Sequence, residues 1–256
     1  VFGRVCSHEV ANLLAEAAAL LADEPRRAAA IYEQVCAFDP GEPSHLLRWM
    51  HAEAAAGRTG QARAIGARLL EHPALSKPLR RRALSTLGDL SWLEDRRADA
   101  RRRYRQAAGL AAPPHTRRLL HLKRWALDRD DEVGRLLRDY LVKEPGSERE
   151  AGLDVHLAHR LAAALPDSGL GQYLVGKQLA AHGHFCAARR PLRRALELEL
   201  PGRDFVVEAW RALGATSYLC RDHLGARRAF AELVGIADLP AGLRLDQVQA
   251  FYRGED

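Results

Sequence analysis

The sequence predicts an all-α fold assembled from repeated helix pairs. Three observations predict it: a composition rich in helix formers, an apolar stripe that returns along the chain, and a turn signal closing each copy. Of 256 residues, three are Ile, four are Thr and twelve are Val, against long runs of Ala, Leu, Arg and Glu. Those four are the stronger helix formers, whereas β-branched residues favour strands.

The first clear copy of the stripe is Asp23 to Pro40. A polar turn precedes a helix bearing Ala28, Tyr32 and Val35, and Asp39-Pro40 stops it. Spacings of four and three residues put these side chains on one helical face. The frame returns as Ala100, Tyr104 and Ala107, stopped near Pro113, and as Val133, Leu137 and Tyr140, stopped at Pro145. It returns again as Ala188, Leu192 and Ala195, stopped at Pro201, and as Ala226, Phe230 and Leu233, stopped at Pro240. A degenerate sixth copy has Ala62 and Leu69 but Gly66 in the large position, which predicts a weakly anchored helix.

The helix before each stripe reads best as Leu84-x-x-Leu87-Gly88 and Trp210-x-x-Leu213-Gly214. A large residue three before Leu-Gly supplies a knob beside a flat spot where the next helix approaches closely. With the small-large stripe and the late proline, this resembles the tetratricopeptide repeat family over about residues 9 to 240. Ser217 stands where that family's pattern has Tyr, and Tyr218 comes one residue late. The resemblance implies a right-handed superhelical solenoid of about six helix-turn-helix repeats.

The small anchors fall at 28, 62, 100, 133, 188 and 226, so one step is 55 residues where the others are 33 to 38. That surplus predicts an inserted helix at about 152–165, with Leu243 to Tyr252 as an amphipathic C-terminal capping helix. The expected organisation is residues 1–148 as repeats one to four, 149–168 as inserted helix and linker, and 169–256 as repeats five and six with the cap. The whole forms one continuous solenoid whose repeats stack to bury their apolar faces.

Several segments imitate catalytic or binding motifs. Gly171 to Gln178 matches GxxxxGK, but Gln178 stands where magnesium binding needs Ser or Thr, the segment reads as helix instead of a strand-flanked glycine loop, and Val175-Gly176 is this repeat's version of Leu87-Gly88. His8-Glu9-Val-Ala-Asn12 lacks the second histidine of HExxH. His182-Gly-His184 and Cys186 gather ligand types at what reads as a turn. No spacing forces a nucleophile against a base, so the expectation is a non-catalytic protein with no cofactor and no metal. Cys6, Cys36, Cys186 and Cys220 form no CxxC and sit in helical patterns, which reads as small buried thiols and fits a reducing compartment.

No apolar run is long enough to cross a bilayer, and the expected location is cytoplasmic. A chain that opens at Val1 with Met50 as its only methionine reads as a processed form or an excised segment. The formal net charge of +6 rests mainly on Arg, since Lys occurs only at 77, 123, 143 and 177.

The resemblance further implies that first helices line a concave groove. The inward stripe then holds His51; Arg82, Ser85, Asp89 and Trp92; His115, Arg118, Leu122 and Trp125; Tyr173 and Lys177; and Glu208, Arg211 and Tyr218. Aromatic residues with Arg are the composition of interface hot spots. The candidate partner-binding set is Arg82, Asp89, Trp92, Arg118, Trp125, Tyr173, Lys177, Arg211 and Tyr218. Either Trp92 or Trp125 could instead complete the packing between repeats. The expected function is a scaffold or adaptor taking a peptide or partner protein that carries acidic and apolar residues. Some family members clamp a chaperone's C-terminal carboxylate through Lys and Asn, but the only Asn here is Asn12, which disfavours that ligand. The alternatives are nucleic-acid binding through Arg-rich second helices, at Arg96 to Arg105 and Arg189 to Arg194, or service as the regulatory arm of a larger enzyme.

Overall fold

The computed structural model of the chain describes residues 2–142, 160, 163–164, 168–198 and 200–236. Among them are twelve α-helices, in two compact units spanning Val1–Glu148 and Arg149–Asp256. The first unit contains α1 (Phe2–Leu20), α2 (Pro25–Phe38), α3 (Pro43–Ala55), α4 (Thr59–Leu70), α5 (Lys77–Leu93), α6 (Arg97–Ala108), α7 (Pro114–Leu127) and α8 (Glu132–Leu141). The second contains α9 (Gly169–Ala181), α10 (Phe185–Glu197), α11 (Arg203–Leu219) and α12 (His223–Gly235). Within each unit every helix packs on the next, and successive first helices also touch, α3 on α5 and α9 on α11.

Local chemistry sets the helix ends. Proline in the first turn opens α2, α3, α5 and α7, where its missing N–H is not needed. The carboxylates of Asp131 and Asp222 cap α8 and α12, accepting from Gly134 N–H at 3.0 Å and Gly225 N–H at 2.9 Å.

The predicted stripes are the buried faces of the second helices. Ala28, Val35, Ala62, Leu69, Ala100, Tyr104, Ala107, Leu137, Ala188, Leu192, Ala195, Ala226 and Leu233 are completely buried, and Tyr32, Val133 and Phe230 nearly so. Opposite them, the predicted flat spots are sockets. A Cβ placed on Gly88 would lie 2.5 Å from Tyr104 Cε1; on Gly176, 2.6 Å from Leu192 Cγ; and on Gly214, 2.7 Å from Phe230 Cζ. Each socket meets the residue sixteen positions later, from 88 to 104, from 176 to 192 and from 214 to 230.

The second pair keeps this register and exchanges the roles. Met50 occupies the socket position of α3, and Gly66, sixteen residues on, is the hole in α4. A Cβ there would meet Met50 Sδ and Leu87 Cδ2, each at 2.8 Å. The expectation that Gly66 weakens α4 is therefore corrected. Volume missing from the second helix is supplied by the first, and Ala62, Ile65 and Leu69 remain buried in a core continuous with Tyr32, Leu47, Met50 and Leu87.

The turns within pairs repeat too. Gly57, Asp95, Gly183 and Arg221 are the described residues with φ between +56° and +78°, each seven positions past its socket position. This left-handed residue reverses the chain between antiparallel helices. Asp95 and Arg221 hold it without being glycine, so backbone geometry outweighs residue preference at that point.

The expected inserted helix at 152–165 falls mainly, and the capping helix at 243–252 wholly, outside the described residues. The cysteine expectation is corrected. Cys36 is a buried free thiol, but Cys186 and Cys220 form a disulfide with a Cα–Cα distance of 5.2 Å. The absence of CxxC was no guide, because the partners lie 34 residues apart, about one repeat length.

Candidate functional site

Five of the expected binding residues fall in the first unit and four in the second. In the first, α5 carries Arg82, Asp89 and Trp92 and α7 carries Arg118 and Trp125, with α3 packed beside α5. His51 Nε2 lies 3.0 Å from Thr86 Oγ1, joining α3 to α5, while the Thr86 hydroxyl donates to Arg82 O at 3.1 Å. His51 is therefore the donor of that pair, and its ring is neutral: burial pushes its pKa down to about 3, and the Arg82 charge adds to the effect.

Asp89 and Trp92 face inward. Asp89 is fully buried, and its carboxylate accepts from Lys123 Nζ at 2.7 and 2.9 Å and from the Tyr104 hydroxyl at 2.7 Å. Lys123 is also fully buried and stands 5.8 Å from the Tyr104 ring centre. One carboxylate on α5 thus ties together α6 and α7. Trp92, only 2% exposed, meets the same Tyr104 ring edge-on at 6.3 Å. Both residues hold helices together, because the groove-facing and packing-facing positions of a first helix differ by little more than one 100° step.

Arg118 is buried on α7, and Arg82 is part-buried on α5. Trp125 remains partly open on α7, with the Arg129 guanidinium 4.7 Å from its ring centre. It is the expected aromatic of this unit that helix packing does not cover.

In the second unit, Tyr173 is buried and packs edge-on against Phe205 at 5.6 Å. Lys177 and Arg211 converge on Glu208. Lys177 Nζ donates at 2.5 Å, and Arg211 donates through Nε at 2.7 Å and through its terminal nitrogen at 2.6 Å. Tyr218, part-exposed, packs edge-on against His223 at 5.5 Å.

Burial alone would raise the Glu208 pKa, but the Arg211 hydrogen bonds and the Lys177 charge overcome it and hold the carboxyl down to about 2. A depressed carboxylate stabilises the fold fully above its unfolded pKa, near 4.5, and that contribution is lost as pH falls towards 2. Because Lys177 and Arg211 are partly solvated, the contribution is on the order of 1–3 kcal/mol. Urea melts should show Glu208→Gln less stable than the wild type at pH 6, with the difference vanishing near pH 2. Parallel curves over that range would count against the charged cluster.

The Arg-rich second helices are largely tied to carboxylates. Arg96 pairs with Glu94 and Asp99, Arg97 with Asp95 and Asp130, Arg101 with Asp128 and Arg102 with Asp99. Pairs of this kind recur between successive helix pairs: Arg63 reaches Glu94, Arg97 and Arg101 reach Asp130 and Asp128, and Arg189 reaches Asp222. In each, a second helix straps the inter-helix turn of the next pair. At the surface each strap contributes little, but binding phosphates through these cations would require breaking them.

The motif decoys resolve as structure. Gly171 to Gln178 lies inside α9, and Gly176 is the socket for Leu192. His182 caps the end of α9, and Gly183 makes the turn. No group of three or more His, Cys, Asp or Glu able to hold a metal occurs among the described residues, and no described helix is long and apolar enough to cross a membrane.

Lys123 was the residue missed in the sequence, although its signal was there: Asp89 and Lys123 are 34 residues apart, opposite charges at one register of adjacent repeats.

No family model matches the chain, and no curated protein matches it. Among solved structures it is similar to PilF of Pseudomonas aeruginosa at 12% identity, with 96% of this chain and 99% of that chain covered and a TM-score of 0.42. It is also similar to the TPR2AB domain of yeast Sti1 in its pHSP90 complex, at 13% identity, 97% and 99% coverage and a TM-score of 0.37. A tetratricopeptide repeat protein from Parabacteroides merdae aligns at 11% identity, 96% and 98% coverage and a TM-score of 0.35. The fold assignment rests on this chain's own helix pairs, their sockets and their turns. The chain is an all-helical repeat protein whose helix pairs resemble tetratricopeptide repeats.

Proposed function

We propose that the chain is a non-catalytic scaffold or adaptor that takes a partner protein segment on the first helices of its repeats. The observation that carries this reading is Trp125, a large aromatic on a first helix that remains partly open beneath a stacked arginine. A half-covered Trp is suited to close over an apolar side chain, while the positive charge around it, with Arg129 held by Asp131, favours a segment that carries carboxylates. His115 and Arg118 lie on the same helix, and Arg82 on α5 adds positive charge. A segment mixing acidic and apolar residues fits that chemistry, held with salt-sensitive affinity. The second helices fit a scaffold's outer wall, since sockets and straps engage them. No observation favours nucleic acid over a protein ligand.

The test is affinity capture from lysate with mass spectrometry, comparing wild type with Trp125→Ala after circular dichroism shows both folded. The expected result is a nuclease-resistant protein partner released at about 0.5 M salt and bound at least roughly tenfold more weakly by Trp125→Ala. Equal capture by both baits, or a set that disappears on nuclease treatment, would overturn the reading.

A further inference from the structure

We propose that Cys186 and Cys220 are a covalent modification site. They stand as a disulfide in the working protein, which therefore acts in an oxidising compartment, and the bond staples the fifth and sixth helix pairs into one unit. This reading departs from the reducing compartment expected from the cysteine pattern, and it is independent of the groove reading.

The placement carries the inference. Cys186 lies in the first turn of α10 and Cys220 caps the end of α11. Their Cα atoms are 5.2 Å apart, within the range a disulfide spans without backbone movement. A second contact runs alongside. Arg189, one helical turn beyond Cys186, pairs with Asp222, two residues beyond Cys220, and its other terminal nitrogen lies 3.8 Å from Cys220 Sγ. Other pairs close the same junction with charge alone, as Arg63 does with Glu94 and Arg97 with Asp130. Here a covalent bond is added to the recurring strap.

Cys186 is exposed and Cys220 partly so, which leaves both within reach of an oxidant. Cys36 offers a contrast: it is buried, and burial pushes its thiol up to about 11, where it neither ionises nor exchanges. The oxidant is a disulfide-bearing partner of the oxidising compartment. One cysteine thiolate attacks that disulfide, forming a mixed disulfide and releasing one thiol. The other cysteine then displaces the second thiol. Two electrons and two protons pass to the oxidant as its dithiol, and the Sγ–Sγ bond closes. Disulfides persist in secreted, periplasmic and lumenal settings and are rare where thiol reductants prevail.

The first experiment quenches the native cells in acid, alkylates free thiols without reductant, and maps the peptides of the full chain. With the alkylation done in denaturant, so that buried Cys36 reacts, the expected result is a 186–220 cross-linked peptide pair, with Cys6 and Cys36 alkylated. Free Cys186 and Cys220, or a cross-link between other positions, would overturn the proposal. The second measures thermal midpoints of purified full-length protein with and without reductant. Wild type is expected to lose on the order of 10 °C from the transition of the second unit. The double variant Cys186→Ser/Cys220→Ser is expected to melt like reduced wild type and to ignore reductant. A wild-type midpoint unmoved by reductant would remove the staple.

Discussion

Lys123→Met is expected to destabilise the first unit by about 3–5 kcal/mol, because it takes from a fully buried carboxylate the ammonium that donates to both of its oxygens. The Tyr104 hydroxyl, which also donates to Asp89, carries no charge to replace the ammonium, and the site is closed to water. For a unit of this size the midpoint should fall by about 10 °C or more. Asp89→Asn should cost a comparable amount by stranding the ammonium. The informative variant removes these three polar groups together. Asp89→Leu, Tyr104→Phe and Lys123→Met combined should return to within about 1–2 kcal/mol of wild type, since well-packed apolar groups of similar volume replace a buried ion pair at little net cost. Denaturant melts of the four proteins decide it. If Lys123→Met alone is neutral, the pair is hydrated and does not fasten α5 to α7.

The pair also marks the limit of what the sequence made legible. Every second helix was readable because its stripe is local: small, large and apolar residues four and three apart, then a stop. The sockets at Gly88, Gly176 and Gly214 were readable for the same reason, since a flat spot follows a fixed knob within one helix. What could not be read locally was reciprocity between helices. Gly66 looked like a defect until Met50, sixteen residues earlier, supplied the missing volume. Asp89, Trp92 and Tyr173 looked like groove residues because polar and aromatic side chains on a first helix suggest a ligand. Their partners, Lys123, Tyr104 and Phe205, are 34, 12 and 32 residues further along. Cys186 and Cys220 share that property. In a repeat array, the contact that settles a residue's role lies one helix or one whole repeat away, and short motif rules do not sample those distances.

The knob and socket exchange gives the other large expected effect. Phe230→Ala should cost about 3–5 kcal/mol, because removing the ring leaves a cavity under Gly214 that the rigid helix pair cannot close. Gly214→Met should cost about 1–3 kcal/mol by driving a side chain into space the Phe230 ring already occupies, since even a Cβ would lie 2.7 Å from it. The second helix pair shows that the same sixteen-residue register accepts the opposite assignment. Combining Gly214→Met with Phe230→Gly copies the arrangement of Met50 and Gly66 into the sixth pair. The double variant should therefore be less destabilised than the sum of its single changes by at least about 1 kcal/mol, even after the cost of glycine within a helix. A thermodynamic cycle from urea melts of Gly214→Met, Phe230→Gly and the double variant measures that coupling directly. Strict additivity would mean that positions 214 and 230 do not share one packing volume. It would also mean that Met50 and Gly66 tolerate each other for a reason specific to the second pair.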